Sequence, residues 1–324
     1  MSFFSIFLAL VIEQARPMSP SHFLHLWLRK WADWVTSHVD GGTRSQAWLA
    51  WGLMVGAPAG LAILIHWLLA LFLGWFFAIV WNVALLYVTL GFRQFSHHFT
   101  GIRDALNDGD EPLARKLLAQ WQQVEINELP RNEIVRHVIE HSILSAHRHV
   151  FGVFFSYALL SVIGLGPVGA VAYRISEFVK RYSESAASLS QQTIVGNAAQ
   201  AHWISDSLKD VSHEAWHAID WLPARATAMG FAIMGSFEDA MDGWRHHSEK
   251  FPEDNDGVIL AATSGAINVQ LGGAALQPDS PGTSSTPGRP PELSHFAQVV
   301  GLVWRTVIMW LVWVALLSLA NLLG

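Results

Sequence analysis

The chain has 324 residues, with 26 acidic against 20 basic side chains and a formal charge of −6, a balance that argues against nucleic acid as a partner. Only 14% of residues are charged and 52% are hydrophobic. Soluble domains carry roughly 25% charged residues, so an ordinary soluble globule is excluded and a lipid bilayer is the expected partner. There is no cysteine, which excludes disulfides and thiolate metal sites.

The first apolar stretch, Phe3 to Ile12, has no basic residues before it and no small-residue cleavage site after it. It reads as a core or re-entrant segment rather than a removable signal. From Ser21 to Val39, Phe23, Trp27, Trp31, Trp34 and Val35 recur at helical spacing while Arg29, Lys30 and Asp33 fall elsewhere on the wheel. That pattern predicts a helix lying in the membrane interface.

Between Arg44 and Arg93 the chain contains no Asp, Glu, Lys or Arg. About 20 apolar residues cross a bilayer as a helix, so this run predicts two crossings, Ala47 to Trp67 and Leu69 to Gly91, with a tight connection between them. The following region is polar and helix-like, with Asp110 placed to cap a helix opened by Glu111 and Pro112. Val150 to Tyr173 is apolar again, but Gly164, Gly166, Pro167 and Gly169 divide it into pieces too short to cross alone. Placing Arg29, Lys30, Arg44, Arg93, Arg103, Arg174, Lys180 and Arg181 together on the cytoplasmic side favours a re-entrant pair over one broken crossing. Gln277 to Pro291 is rich in Pro, Ser, Thr and Gly and predicts a flexible linker. Val299 to Leu323 predicts the last crossing, with Arg305 reaching to the interface.

The expected fold is therefore an all-α integral membrane protein with roughly four membrane segments and helical cytoplasmic parts. Its expected divisions are 1–46, an apolar segment and interfacial helix; 47–92, a transmembrane hairpin; 93–273, a core with a broken membrane segment at 150–173; 274–292, a linker; and 293–324, a terminal crossing.

Three motifs invite chemistry. Gly164, Gly166 and Gly169 spell G-x-G-x-x-G, but no strand precedes them and Pro167 occupies the turn, so a dinucleotide site is not expected. His213, Glu214 and His217 form H-E-x-x-H, and His137, Glu140 and His141 form the inverted H-x-x-E-H. Sixteen histidines make chance matches common. Both are read as solvated or interfacial histidines, with His213, Glu214 and His217 as the zinc decoy and no metal expected. His147, Arg148, Tyr173, Arg174 and Arg225 are candidate contacts for an anionic small-molecule ligand, joined by Asn255 and Asp256, because the guanidinium fork matches phosphate and carboxylate.

The order of motifs resembles a known family. The blocks "ALNDGDEPLAR" (Ala105 to Arg115), "IEHSILSAHRHVFGVFFSYALLSVIGLGPVGAVAYR" (Ile139 to Arg174), "DWLPARATA" (Asp220 to Ala228) and "DNDGVILAATSGAINVQLGG" (Asp254 to Gly273) look like successive blocks of the CobD/CbiB family. The resemblance implies a multi-pass bacterial inner-membrane protein of cobalamin biosynthesis. It implies ligation of aminopropanol or its phosphate to adenosylcobyric acid, with ATP and Mg²⁺ as cofactors. In that reading Glu140, Glu177, Asp220, Asn255 and Asp256 serve as metal or substrate ligands.

The chain also departs from the family pattern. Ala146, His147 and Arg148, then Phe151 and Gly152, stand where the family has A-E-N and D-G, and Ile175 to Phe178 replaces its N-T-x-D block. The hairpin, Phe4 to Glu13, the D-W-x-P-x-R element (Asp220, Trp221, Pro223, Arg225) and the terminal crossing are similar to AmpE-type membrane proteins. The main expectation is accordingly a non-ligase regulatory member that binds an anionic or cell-wall-derived ligand and is linked to β-lactamase induction. The ligase is the alternative, a membrane zinc hydrolase a minor one, and a homo-oligomer is left open.

Overall fold

A computed structural model describes residues 2–15, 22–122, 129–193, 204–273 and 284–323. Among these residues the fold is helical, and the only β-type pairing is an isolated bridge between Val269 and Arg289. Among the described residues three helices are long and apolar enough to cross a membrane: Arg44–Phe72, Arg131–Ser161 and Ser294–Ala320. The chain forms two compact units, residues 1–90 with 153–221 and residues 91–152 with 222–324.

The first unit begins with α1 (Ser2–Ala15), which packs on α4 (Trp75–Thr89). The helix α2 (His22–Val39) packs on α3 (Arg44–Phe72), which in turn meets α4 and α9 (Gly166–Thr193). Small residues make these approaches close, with Ala32, Ala47, Ala50, Ala59 and Ala62 all buried in one cluster with Val35, Met54 and Val179. The α3–α4 hairpin turns at Leu73 and Gly74, as the charge-free run predicts. At its tip Leu71 is 77% and Phe72 73% exposed, a surface that water would penalise and hydrocarbon accommodates. One face of α2 is buried on α3 through Ala32 and Val35, while Trp27, Trp31, Trp34 and His38 stack along a second face.

The apolar region after Arg148 differs from its expectation. No short fourteen-residue piece starts there, because the helix is already running from Arg131 and continues to Ser161. It contains α7 (Arg131–Ala146), one wider turn of π-helix at His147–Phe151, and α8 (Gly152–Ser161). The polar amino-terminal half hid this helix from a reading based on apolar runs. The chain then reverses over Val162 to Leu165, with Gly164 at φ 77°. The neighbouring glycines have a packing role, since a Cβ at Gly169 would collide with the Ser156 carbonyl as α9 leaves against α8.

In the second unit, α5 (Phe92–Asn107) and α6 (Glu111–Gln122) pack together, and the Leu113 N–H donates to Asp110 Oδ1 at 2.9 Å, as its capping position predicts. The helix α10 (Asp206–Met234) runs from the first unit into the second, and α11 (Phe237–His247) leads to α12 (Asp254–Ile267). Gly243 and Gly265 let α11 and α12 touch along their backbones, since a Cβ at either would meet a carbonyl of the other helix. Asn268, at φ 51°, ends α12 in the left-handed region.

Of the expected linker, residues 274–283 lie outside the described residues. Its later part is held: the Thr286 N–H donates to the Leu271 carbonyl at 2.7 Å, and the Gln270 N–H donates to the Arg289 carbonyl at 2.8 Å. The chain ends in α13 (Ser294–Leu323).

Candidate functional site

In the second unit three of the resembling sequence blocks meet through charged and polar side chains. The π-turn of His147–Phe151 widens the helix and presents His147 and Arg148, an irregularity frequent at functional sites. Arg148 Nη2 donates to Asp256 Oδ2 at 2.5 Å across 108 residues of sequence. On α10, Arg225 Nη1 donates to Asn255 Oδ1 at 3.1 Å, and its Nη2 lies 3.5 Å from Asp254 Oδ2. The opening turn of α12 thus receives two guanidinium groups, each from a different helix.

Fully buried His147 is fixed from the same side. Thr227 Oγ1 donates to the Pro223 carbonyl at 3.0 Å, and His147 Nδ1 lies 2.9 Å from Thr227 Oγ1. With the hydroxyl proton directed to Pro223, Oγ1 accepts from His147, which places a proton on Nδ1. This tautomer follows from the network of partners.

A second polar centre of this unit surrounds Arg136, which motif reading passes over. Its guanidinium donates to Glu133 Oε2 at 2.6 Å and to both Glu140 oxygens at 3.0 and 3.1 Å, and it lies 2.8 Å from His137 Nε2. Glu140 Oε1 also accepts from the Gly272 N–H at 2.7 Å, tying α7 to the segment after α12. His141 packs on the Trp121 ring, with centroids 4.5 Å apart. The inverted zinc motif is therefore the rim of an arginine-centred network.

The remaining candidates lie in the first unit. Tyr173 donates to Asp220 Oδ1 at 2.7 Å with both residues fully buried, and Trp216 packs on the Tyr173 ring at 5.1 Å. Glu177 accepts from Arg174 at 3.0 Å and from Arg181 Nε at 2.6 Å, all on α9. Glu214 of the H-E-x-x-H element pairs with Arg44 at 2.7 Å, both well exposed. Among the described residues no group of three or more His, Asp or Glu stands together as a metal site.

Two expectations change on this geometry. The expected basic pocket is not an array of bare cations, because Arg148, Arg174 and Arg225 each meet a carboxylate. Nor are the expected carboxylates bare: Glu140 serves Arg136, Glu177 serves two arginines, and Asp220 accepts from Tyr173, each within its own unit. Sequence spacing exposes a cation but hides an acid 108 residues away. A buried Arg flanked by Glu at i−3 and i+4 was the available signal for Arg136.

Long apolar helices with lipid-compatible surfaces, and no strand among the described residues, define an all-α membrane protein. The sequence profile of the CobD/CbiB protein family matches residues 6–179, more than half of the chain. The protein belongs to the CobD/CbiB family. It is similar to the cobalamin biosynthesis protein CobD of Stutzerimonas stutzeri, 28% identical over 287 residues that cover 86% of each chain. It is also similar to the CobD proteins of Chromobacterium violaceum (29% over 203 residues, 61% of this chain and 57% of that one) and Leptospira interrogans (24% over 217 residues, 65% and 60%). No solved structure matches. The likeness to AmpE-type proteins finds no counterpart among these relatives, and the cobalamin alternative gains the support.

Proposed function

We propose that this is a cobalamin-biosynthesis enzyme, a multi-pass protein of the bacterial inner membrane that joins the amine of aminopropanol or its phosphate to the free carboxylate of adenosylcobyric acid. The observation that carries the reading is the meeting of three family-like blocks at the opening turn of α12, through Arg148 with Asp256 and Arg225 with Asn255. The names of the relatives supply the pathway.

In this reading ATP converts the carboxylate into an acyl phosphate, releasing ADP. The amine then displaces phosphate, losing a proton as the amide forms. Arg148 and Arg225 are the groups suited to anionic oxygens, since a guanidinium offers two parallel donors to phosphate or carboxylate. Their present acid partners hold them oriented until a substrate anion competes. His147, next to Arg148 in the chain, is held in orientation by Thr227.

Mg²⁺ keeps several waters and takes one or two carboxylates together with substrate phosphates. The donors on α12 fit that demand: the Asp254 side chain is 55% exposed and its Arg225 contact is long, at 3.5 Å. When bound, Mg²⁺ would neutralise phosphate oxygens.

The test is incubation of the purified full chain with adenosylcobyric acid, aminopropanol phosphate, ATP and Mg²⁺, read by mass spectrometry. The condensed product is expected. Absence of product, with a family ligase active alongside, rejects the ligase and favours the regulatory, AmpE-like role with a cell-wall-derived ligand.

A further inference from the structure

The helix α13 carries one Arg and no Lys, Asp or Glu along its whole length. After Arg305 the charge-free stretch Thr306 to Leu323 is 18 residues long, about 27 Å as a helix. That nearly matches a hydrocarbon core of about 30 Å. Arg305 therefore sits at the headgroup boundary, with the rest of the helix in acyl chains.

Beside it the second unit has a groove of about 330 Å³, lined by Met234, Arg305, Ile308, Met309, Val312 and Trp313. Such a volume lies at the lower end of the ~300–1,000 Å³ of ligand sites. Ile308 and Met309 lie three and four residues after Arg305, and Val312 and Trp313 each lie four after those, so the groove runs along one helix face from Arg305. Apart from Arg305 its walls are apolar. Met234, at the end of α10, forms the opposite wall. Nearby, Gly230 allows α13 to approach α10, since a Cβ there would press on Thr306 and Trp310.

Arg305 differs from the other arginines that order this unit. Arg136, Arg148 and Arg225 each meet a carboxylate, whereas Arg305 donates through Nε to its own helix at the Gly301 carbonyl, 3.1 Å away, and pairs with no acid among the described residues. An arginine that merely reaches to water needs no groove beside it. A cation at the headgroup level, at one end of an open apolar groove along the helix, matches the two ends of a lipid.

We infer that this groove binds an anionic phospholipid, with Arg305 on the headgroup phosphate and one acyl chain along Ile308, Met309, Val312 and Trp313. The site is independent of the ligase reading, because its ligand is a membrane component and its readout is lipid retention.

The full chain, purified in detergent, would be exposed to equal amounts of phosphatidylglycerol and phosphatidylcholine, and the retained lipid identified by native mass spectrometry. A preference of about fivefold for phosphatidylglycerol is expected, the equivalent of ~1 kcal/mol for one Arg at a charged surface. Arg305→Gln should bring the ratio near one and Arg305→Lys should keep part of the preference. Ile308→Trp, by filling the groove, should lower retention of both lipids at an unchanged thermal midpoint. Competition by inorganic phosphate without loss of the acyl-chain effect would assign the cation to free phosphate and overturn the lipid. An unchanged lipid ratio in folded Arg305→Gln would overturn it equally, and the Lys variant supplies the comparison if the Gln variant does not fold.

Discussion

The two units join their helices with different chemistry. In the first, polar contacts between helices rest on hydroxyls and single acids: Tyr173 on Asp220, Tyr182 on Asp33, Ser183 beside Ser212, with Ser205 on Asp40 joining the residues that flank α10 and α2. Arg44 and Glu214, which pair between two of its helices, are both largely exposed. In the second, Arg148 with Asp256 and Arg225 with Asp254 join helices through partly buried charge, and Arg136 with Glu140 reaches the Gly272 backbone. A bundle with lipid-compatible surfaces can be held by small residues and neutral donors, because an uncompensated charge there is costly. A site for anionic substrates has to hold cations ready, and pairing each with an acid keeps it oriented.

This contrast predicts a ranking of effects. Arg136→Met should be the most damaging, because it leaves Glu133 and Glu140 without their shared cation; a loss on the order of 3–5 kcal/mol is expected from breaking a buried pair on one side. Denaturant unfolding in detergent would measure it, and a loss below that of Arg44→Ala would break the comparison. Tyr173→Phe should cost about 1–3 kcal/mol by removing a donor from buried Asp220. Arg44→Ala should change stability by less than about 1 kcal/mol, as exposed pairs do.

The smallest effect is a titration. Burial, reinforced by the hydrogen bond to Asp33, raises the Tyr182 phenol above its ordinary value, which is near 10. The folded protein then holds this proton more tightly than the unfolded chain. The stabilisation is fully present below about pH 10 and is lost as pH rises through the raised value. Phenolate absorbance should show a late-titrating component that falls by one tyrosine in Tyr182→Phe; an unchanged late component in that variant would contradict the burial argument.

What the sequence disclosed follows the same division. The α3–α4 hairpin was legible because 48 consecutive residues without charge have few other uses, and the cap at Asp110 because a local hydrogen bond needs only a local pattern. The close approach of Gly166 and Gly169 to α8 was not legible, because it depends on Tyr157, Ser161 and the Ser156 carbonyl, which only the fold brings there. The helix from Arg131 to Ser161 was half legible, since its amino-terminal turns are polar and its π-turn has no sequence period. Arg148, Arg225, Asn255 and Asp256 were each singled out from the sequence, but their pairing was not legible: Asp256 lies 108 residues from Arg148 and only the fold joins them. Arg136 escaped because its neighbours His137, Glu140 and His141 imitate a metal motif.

The most direct measurement compares amide formation by the natural protein and by Asp254→Asn, both shown to be folded by their thermal midpoints. The account predicts product from the natural protein and a drop of at least about tenfold in the variant, the rate equivalent of ~1.4 kcal/mol. Equal rates would remove the opening turn of α12 from the chemistry. No product from either protein, beside an active family ligase, would contradict the assignment to amide ligation itself.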